Sequence, residues 1–270
     1  AIAPVSTAQS LLATRLHAQR ALNWSSPKPR KYLTQSKFTV MHPTPPNSSQ
    51  RTSKQFETRG SSRARTKLVE QLKNKGIRNL AVLNALEAVP RHLFLDPDKI
   101  DSAYVDTALP IGHAQTISQP YVVGLMSEMV LTAAKKNQRV LEIGTGCGYQ
   151  TAILSHLFDR VCSVERILSL LQRAEKNLES LCINNVTLQH GDGTIGWPGQ
   201  ETFDAIIVTA ASDNLPKPLF RLLKPDTCLI APIGGPGDQQ LTTLRNQNGL
   251  ISSETAEAVR FVPLLSGICK

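Results

Sequence analysis

The spacing of apolar residues changes character partway along the chain. Between residues 63 and 134 it repeats at helical intervals. "RARTKLVEQLKNKG" (63–76) predicts a helix stopped by Gly76. "NLAVLNALEAVP" (79–90) predicts a second, with Asn79 as N-cap and Leu80, Leu83, Leu86 and Val89 on one face. After Pro120, which suits a first helical turn because it has no N–H to satisfy, "YVVGLMSEMVLTAA" predicts a third, with Val122, Leu125, Met126 and Met129 together. The intervening "RHLFLDPDKIDSAYVDTALPIGHAQTIS" (91–118) shows no period. Its apolar residues (Leu93, Phe94, Leu95, Tyr104, Leu109, Ile111) nevertheless predict an ordered segment, and a long ordered loop in a compact domain is usually functional.

From residue 139 the pattern becomes short β-rich runs: "RVLEIG" (139–144), "RVCSVE" (160–165), "VTLQHG" (186–191), "FDAIIVTA" (203–210) and "TCLIAPIG" (227–234). Helical stretches at 149–157 and 166–181 separate the first three. Alternation of this kind predicts an α/β domain, a mostly parallel sheet with helices on both faces. Such sheets bind ligands beyond the C-terminal ends of their strands, so the residues closing each run are the candidate site.

The first run opens into "LEIGTGCGYQ" (141–150), where Gly144, Gly146 and Gly148 lie between strand and helix. Glycine there allows a tight turn and close approach of a ligand to the backbone. A dinucleotide turn needs its third glycine one residue later, where Tyr149 stands. A P-loop needs Gly-Lys-Ser/Thr, which is missing. A nucleoside cofactor without phosphates fits a shorter turn. Glu165 closes the second run, where a carboxylate can accept hydrogen bonds from ribose hydroxyls. Asp192 follows the third in "HGDGTIG" (190–196), placed for an adenine amino group or simply for a turn. Together these three strand ends point to S-adenosylmethionine.

Charge modifies this picture little. The net charge of +9 sits in the first 60 residues, which hold nine Lys/Arg against Glu57 alone; the rest holds 21 basic and 20 acidic side chains. "HPTPPNSSQRTSKQ" (42–55) reads as disordered linker, and residues 8–22 fit one basic amphipathic helix. We therefore expect a basic, disordered extension over 1–60 and one domain over 61–270. That domain divides into a helical part with the long loop (61–135) and a cofactor-binding sheet (136–270). An Arg- and Ser-rich, acid-poor leader also resembles an organellar transit peptide, the minor alternative to a cytoplasmic location. The five cysteines are odd in number, without a Cys-x-x-Cys pair, which argues against a disulfide framework or a zinc site and for a reducing compartment. No apolar run is long enough for a membrane span.

"VLEIGTGCGYQTAILSHL" resembles the first motif of class I methyltransferases. With "AVPRHLFL", "YVDTALPIGHAQTISQPYVV", "GDGTIGWP", "FDAIIVTAA" and "LIAPIGGPGDQQL" in order, residues 64–268 resemble the bacterial-type protein-L-isoaspartate O-methyltransferase family. The resemblance implies a Rossmann-like sheet of about seven strands and methylation of the free carboxylate of L-isoaspartyl residues in aged proteins and peptides. It places the family's active-site serine at Ser118. It puts Gln115, Thr116, Ile117, Gly144, Thr145, Gly146, Cys147, Glu165, Asp192, Gly193 and Gln240 on the cofactor, with no metal. Where some members carry histidine five residues after the serine, this chain has Val123. Cys147 stands where others have serine.

Methyl transfer to a carboxylate needs alignment and exclusion of water more than a general base, because a carboxylate with a pKa near 4 is already ionised at pH 7. The neutral hydroxyls and amides of "GHAQTISQP" (112–120) suit that task. On the residues alone, Ser118 reads first as the cap of the helix at Pro120, and the resemblance reverses that preference. His113 receives no role, and Trp197 is expected to pack rather than bind. Competing readings are a small-molecule methyltransferase, a nucleic-acid methyltransferase, a nicotinamide oxidoreductase and a non-enzymatic binding protein. "VTAAS" (208–212) stands where base-amino methylation calls for Asn/Asp-Pro-Pro-aromatic, so no nucleic-acid partner is expected. No membrane partner is expected either, and the protein is expected to act as a monomer.

Overall fold

The computed structural model describes residues 59–134, 138–247 and 250–270; the expectations for the basic leader lie outside them. Helix α1 (Arg59–Lys75) carries Leu68 and Leu72 inward and two lysines in its last turn, where they face the negative end of the helix dipole. It stops at Gly76, whose φ of +121° only glycine adopts readily, with the Ile77 N–H bonded back to the Leu72 carbonyl at 3.2 Å. Helix α2 (Leu80–Ala88) begins under the expected cap: the Asn79 side chain accepts from the N–H groups of Ala81 (2.9 Å) and Val82 (3.3 Å). Its buried face is Val82, Leu83, Ala85 and Leu86, whereas Leu80 is 70% exposed, because the first turn lies outside the helix–helix contact.

The long loop is ordered. Two 3-10 turns (Arg91–Phe94, Pro97–Ser102) lead into a hairpin of β1 (Leu109–Gly112) and β2 (Gln115–Ile117), and α3 (Pro120–Ala133) follows. The buried positions of α3 are Pro120, Val123, Gly124, Met126, Ser127, Val130 and Ala133; of the expected face, Met126 is among them, and Val122, Leu125 and Met129 pack partly buried against the same core. This helix is apolar almost all round and packs against both the sheet and the N-terminal helices, so hydrophobicity alone does not select its innermost face.

Seven strands form the main sheet: β3 (Arg139–Ile143), β4 (Arg160–Glu165), β5 (Val186–His190), β6 (Phe203–Val208), β7 (Leu223–Ile233), β8 (Gln239–Gln247) and β9 (Leu250–Val259). Their order is β5-β4-β3-β6-β7-β8-β9. The first five are mutually parallel, and β8 and β9 add antiparallel. Alternate residues feed two cores. Val140, Val161, Ala205 and Ile207 join the core under α1 to α5. Leu141, Cys162, Ile206 and Val208 join the opposite one with Leu219 of α6 (Lys217–Arg221). Trp197 packs edge-on against Phe203 at 6.4 Å, as expected. Helices α4 (Tyr149–Ser155) and α5 (Leu168–Ser180) follow β3 and β4 as βαβ crossovers. The strand order reverses direction at β3, between β4 and β6. Register places Ile143 level with Val164 and Val208, so three strand ends open at that switch point.

Candidate active site

Beyond β3 the chain makes the Gly-rich turn in an obligatory conformation: Gly144, Gly146 and Gly148 all have positive φ (99°, 56° and 89°). A Cβ at Gly144 would collide with the Thr209 hydroxyl, which is committed to the carbonyls of Ile143 (3.0 Å) and Gly144 (2.7 Å). A Cβ at Gly148 would come within 3.2 Å of Ala174, so that glycine sets how closely α4 and α5 approach. The Glu165 carboxylate spans the turn. Its oxygens accept from the N–H groups of Gly146 and Ile167, each at 2.9 Å, and each keeps a lone pair for a ligand.

A buried polar network supports the turn from below. Glu142 accepts from Thr151 Oγ1 (2.5 Å) and Ser163 Oγ (2.6 Å), and Thr145 Oγ1 lies 2.6 Å from Ser163 Oγ. Burial pushes the Glu142 carboxyl up to about 8, against the smaller opposing effect of those two hydroxyls. It is therefore mostly protonated at neutral pH. Burial likewise pushes the Cys147 thiol up, which keeps it the unreactive thiol rather than the thiolate.

The hairpin closes one side of the cleft. Its turn residues His113 and Ala114 both adopt left-handed conformations (φ 52° and 54°), as a two-residue turn matching strand twist requires. Helix α5 anchors it: Ser169 Oγ lies 2.8 Å from His113 Nε2, and Arg173 donates to the carbonyls of Ile111 (3.3 Å) and Phe94 (2.8 Å). His113 thus holds the hairpin in place. Ser118 follows β2 directly and does not cap α3. The cap position is Gln119, which makes no side-chain capping bond, and the Tyr121 N–H is bound instead by Asp106 Oδ1 at 2.8 Å.

One cleft is lined by Gln115, Thr116, Ile117, Gly144, Thr145, Gly146, Cys147, Glu165 and Gly193, together with Ser118. Every expected cofactor residue is there except two. Asp192 is turned to its own loop and the C-terminus, accepting from Thr194 N–H (2.8 Å), Thr194 Oγ1 (2.7 Å) and Gly267 N–H (2.7 Å). Burial pushes its carboxyl up, but those bonds outweigh burial and hold it below the usual value. Gln240 lines a second cleft, with Arg260, Asp238 and Thr107. Ser118, Thr116, Thr209 and Val262 line both, so the two clefts meet at Ser118.

Sequence reasoning missed the far wall of the first cleft, Val262–Leu265. After β9 the chain is strapped across the strand ends. Ala211 exchanges backbone bonds with Val262 (2.8 Å) and Leu264 (2.7 Å), and Cys269 pairs with Arg166 (2.7 Å) and Leu168 (3.0 Å). Backbone bonds hold this segment, and no period in its side chains announces it. Arg166 and Ile167, just after Glu165, also line the cleft and were findable by the strand-end rule.

The lining suits a nucleoside rather than a nucleotide. It offers backbone N–H groups, neutral hydroxyls and the Glu165 carboxylate. Its one cation, Arg166, is engaged with the Gly267 carbonyl at 3.0 Å. A parallel sheet with this turn and acid at its switch point defines a class I S-adenosylmethionine-dependent methyltransferase.

The relatives narrow the class. The profile of the protein-L-isoaspartate (D-aspartate) O-methyltransferase family matches residues 63–268, and the chain belongs to that family. A protein-L-isoaspartate O-methyltransferase of Hahella chejuensis is 47% identical over 210 residues, covering 78% of this chain and 99% of that one. One of Azoarcus sp. is 49% identical over 205 residues, covering 76% and 94%. Among solved structures, a Plasmodium falciparum protein described as a protein-L-isoaspartate O-methyltransferase, in complex with S-adenosyl-L-homocysteine, superposes with a TM-score of 0.67. It is 28% identical and covers 74% of this chain and 98% of its own. A second structure of the same activity gives 0.68 at 30% identity, covering 76% of this chain and 67% of its own.

Proposed function

We propose that this protein esterifies the free carboxylate of L-isoaspartyl residues in proteins and peptides with the methyl group of S-adenosylmethionine, the step that starts their repair through a succinimide. The observation that carries the reading is Ser118, whose hydroxyl makes no hydrogen bond among the described residues and which lines both clefts. In this reading the first cleft holds the cofactor, with Glu165 accepting from the ribose hydroxyls and the Gly144–Gly148 turn and Gly193 lying against it. Gln115, Thr116, Ile117, Thr145 and Cys147 complete that wall. Asp192 reaches the adenine only if its bond to Gly267 is exchanged, and Gln240 serves the polypeptide side. Bound there, the cofactor supplies an electrophilic methyl on a sulfonium; the products are a methyl ester and S-adenosylhomocysteine.

The chain's own residues contribute positioning. Ser118 donates a hydrogen bond to one oxygen of the substrate carboxylate and leaves the other free to attack. The hairpin and the 262–265 segment keep water from the reacting atoms. We further infer a monomer working in the cytoplasm without nucleic acid or membrane. The near-neutral charge of residues 61–270 supports the reading without nucleic acid, and the five free cysteines support a reducing compartment. No helix among the described residues is long and apolar enough to cross a membrane.

Two peptides that differ only in Asp against L-isoAsp, incubated with methyl-labelled S-adenosylmethionine, test the substrate. The expected result is base-labile label on the isoAsp peptide alone. Equal labelling of both, or of neither while cofactor binds, contradicts the assignment.

A further inference from the structure

The first free N–H groups of a helix are ordinarily met by the side chain of its N-cap residue, here Gln119, which makes no such bond. Here that demand is met from elsewhere. Asp106, in the loop before β1, has a side chain only 10% exposed. Its Oδ1 accepts from the Tyr121 N–H at 2.8 Å, within the first turn of α3, where a carboxylate also meets the positive end of the helix dipole. Its Oδ2 accepts from Gln119 Nε2 at 3.1 Å and pairs with Lys75 Nζ of α1 at 2.6 Å. Gln119 Nε2 also donates to the Asp106 carbonyl at 3.2 Å. The next residue is fixed too, since the buried Arg91 guanidinium donates to the Thr107 carbonyl at 3.3 Å. The far side of Tyr121 is held as well, its hydroxyl donating to Glu257 of β9 at 2.7 Å.

We propose that Asp106 is a positioning residue for methyl transfer. By capping α3 from outside and clamping Gln119, it fixes the backbone of residues 118–121 and with it the place of the Ser118 hydroxyl. The proposal rests on the role given to Ser118 above. It makes two claims: the cap is what matters rather than the ion pair, and its effect on turnover passes through Ser118.

The full chain carries the test as Asp106→Ala, Asp106→Asn, Lys75→Met, Ser118→Ala and the Asp106→Ala/Ser118→Ala double variant. For each, kcat and KM are measured on an isoAsp peptide, with S-adenosylhomocysteine affinity by calorimetry and hydrogen exchange over residues 118–124. Asp106→Ala is expected to lower kcat by about 10- to 100-fold, the scale of a displacement near 1 Å at the reacting group. Cofactor affinity should stay within about twofold. Asn keeps an oxygen for the Tyr121 N–H but turns its NH2 toward Gln119 Nε2 and Lys75 Nζ, so Asp106→Asn should recover part of the loss, and Lys75→Met, which leaves the cap intact, should cost little. Adding Asp106→Ala to Ser118→Ala should cost almost nothing more. Losses that multiply in the double variant overturn the proposal, as does an equal loss of cofactor affinity. Hydrogen exchange needs no substrate. If 118–124 exchanges no faster in Asp106→Ala than in Asp106→Asn, the cap is refuted even where activity is lost. If the wild-type protein methylates no isoAsp peptide while exchange accelerates as expected, the substrate assignment fails and the cap stands.

Discussion

At the scale of single residues, several polar groups of the site have their partners already assigned, and Ser118 does not. Glu165 is held by two N–H groups, Thr209 by two carbonyls and Asp192 by three donors, and Ser118 alone is left free of a protein hydrogen bond among them. Glu142 is the residue whose protonation the fold perturbs most clearly. Its carboxyl, ordinarily near 4.5, is raised by burial to about 8. An acid that holds its proton more tightly when folded contributes stability that is full below its unfolded value and is lost as pH rises through its folded one. Stability should therefore decline from about pH 4.5 to about pH 8 through this group. Glu142→Gln keeps an oxygen for the Thr151 and Ser163 hydroxyls and cannot ionise, so its stability should lack that slope. Urea midpoints of both proteins between pH 5 and 8.5 check this; parallel curves would show that Glu142 ionises normally. In the sequence, Glu142 is one acid in an apolar strand. Its environment comes from Ser163 on the next strand and Thr151 on the next helix, so only the assembled sheet reveals it.

Among the elements, those stabilised by periodic burial were legible and those stabilised by backbone bonds were not. The five central strands follow from runs such as "FDAIIV", every residue of which is buried, and α4 and α5 from the stretches between the first three, whereas the five-residue α6 was not expected. β8 and β9 have polar sequences ("QQLTTLRNQ", "LISSETAEAV"), and β9 is exposed over residues 251–258, so no apolar run marks them; only the family resemblance supplied the count of seven. The hairpin and the strap over residues 262–269 escape pattern reading for the same reason. The strap nevertheless walls the first cleft and ties down Asp192. Ending the chain after Leu265 removes the Gly267 and Cys269 bonds and should weaken S-adenosylhomocysteine binding by about tenfold or more, each lost bond being worth roughly 0.5–1.5 kcal/mol. Calorimetric titration decides the matter, and unchanged affinity would reduce the strap to a passive covering.

For the whole molecule, the site's geometry arises where three strand ends meet, the hairpin approaches from the N-terminal part and the strap from the C-terminal end. All of this lies within the span shared with the relatives, which begins at residue 63. The basic leader precedes that span. Removing residues 1–58 should leave the thermal midpoint within about 2 °C, less than the shift that 1 kcal/mol gives a domain of this size, and kcat unchanged. A broadened or lowered transition would show that the leader belongs to the folded domain. The central claim is that the Ser118 hydroxyl, where two clefts meet, aligns a carboxylate. Ser118→Ala tests it most directly, with turnover on an isoAsp peptide and S-adenosylhomocysteine affinity measured on the same preparation. We predict a fall in kcat of about 10- to 100-fold, the scale of lost alignment, with cofactor affinity unchanged within about twofold. Equal losses of turnover and cofactor affinity would place Ser118 in the cofactor cleft alone and contradict the account.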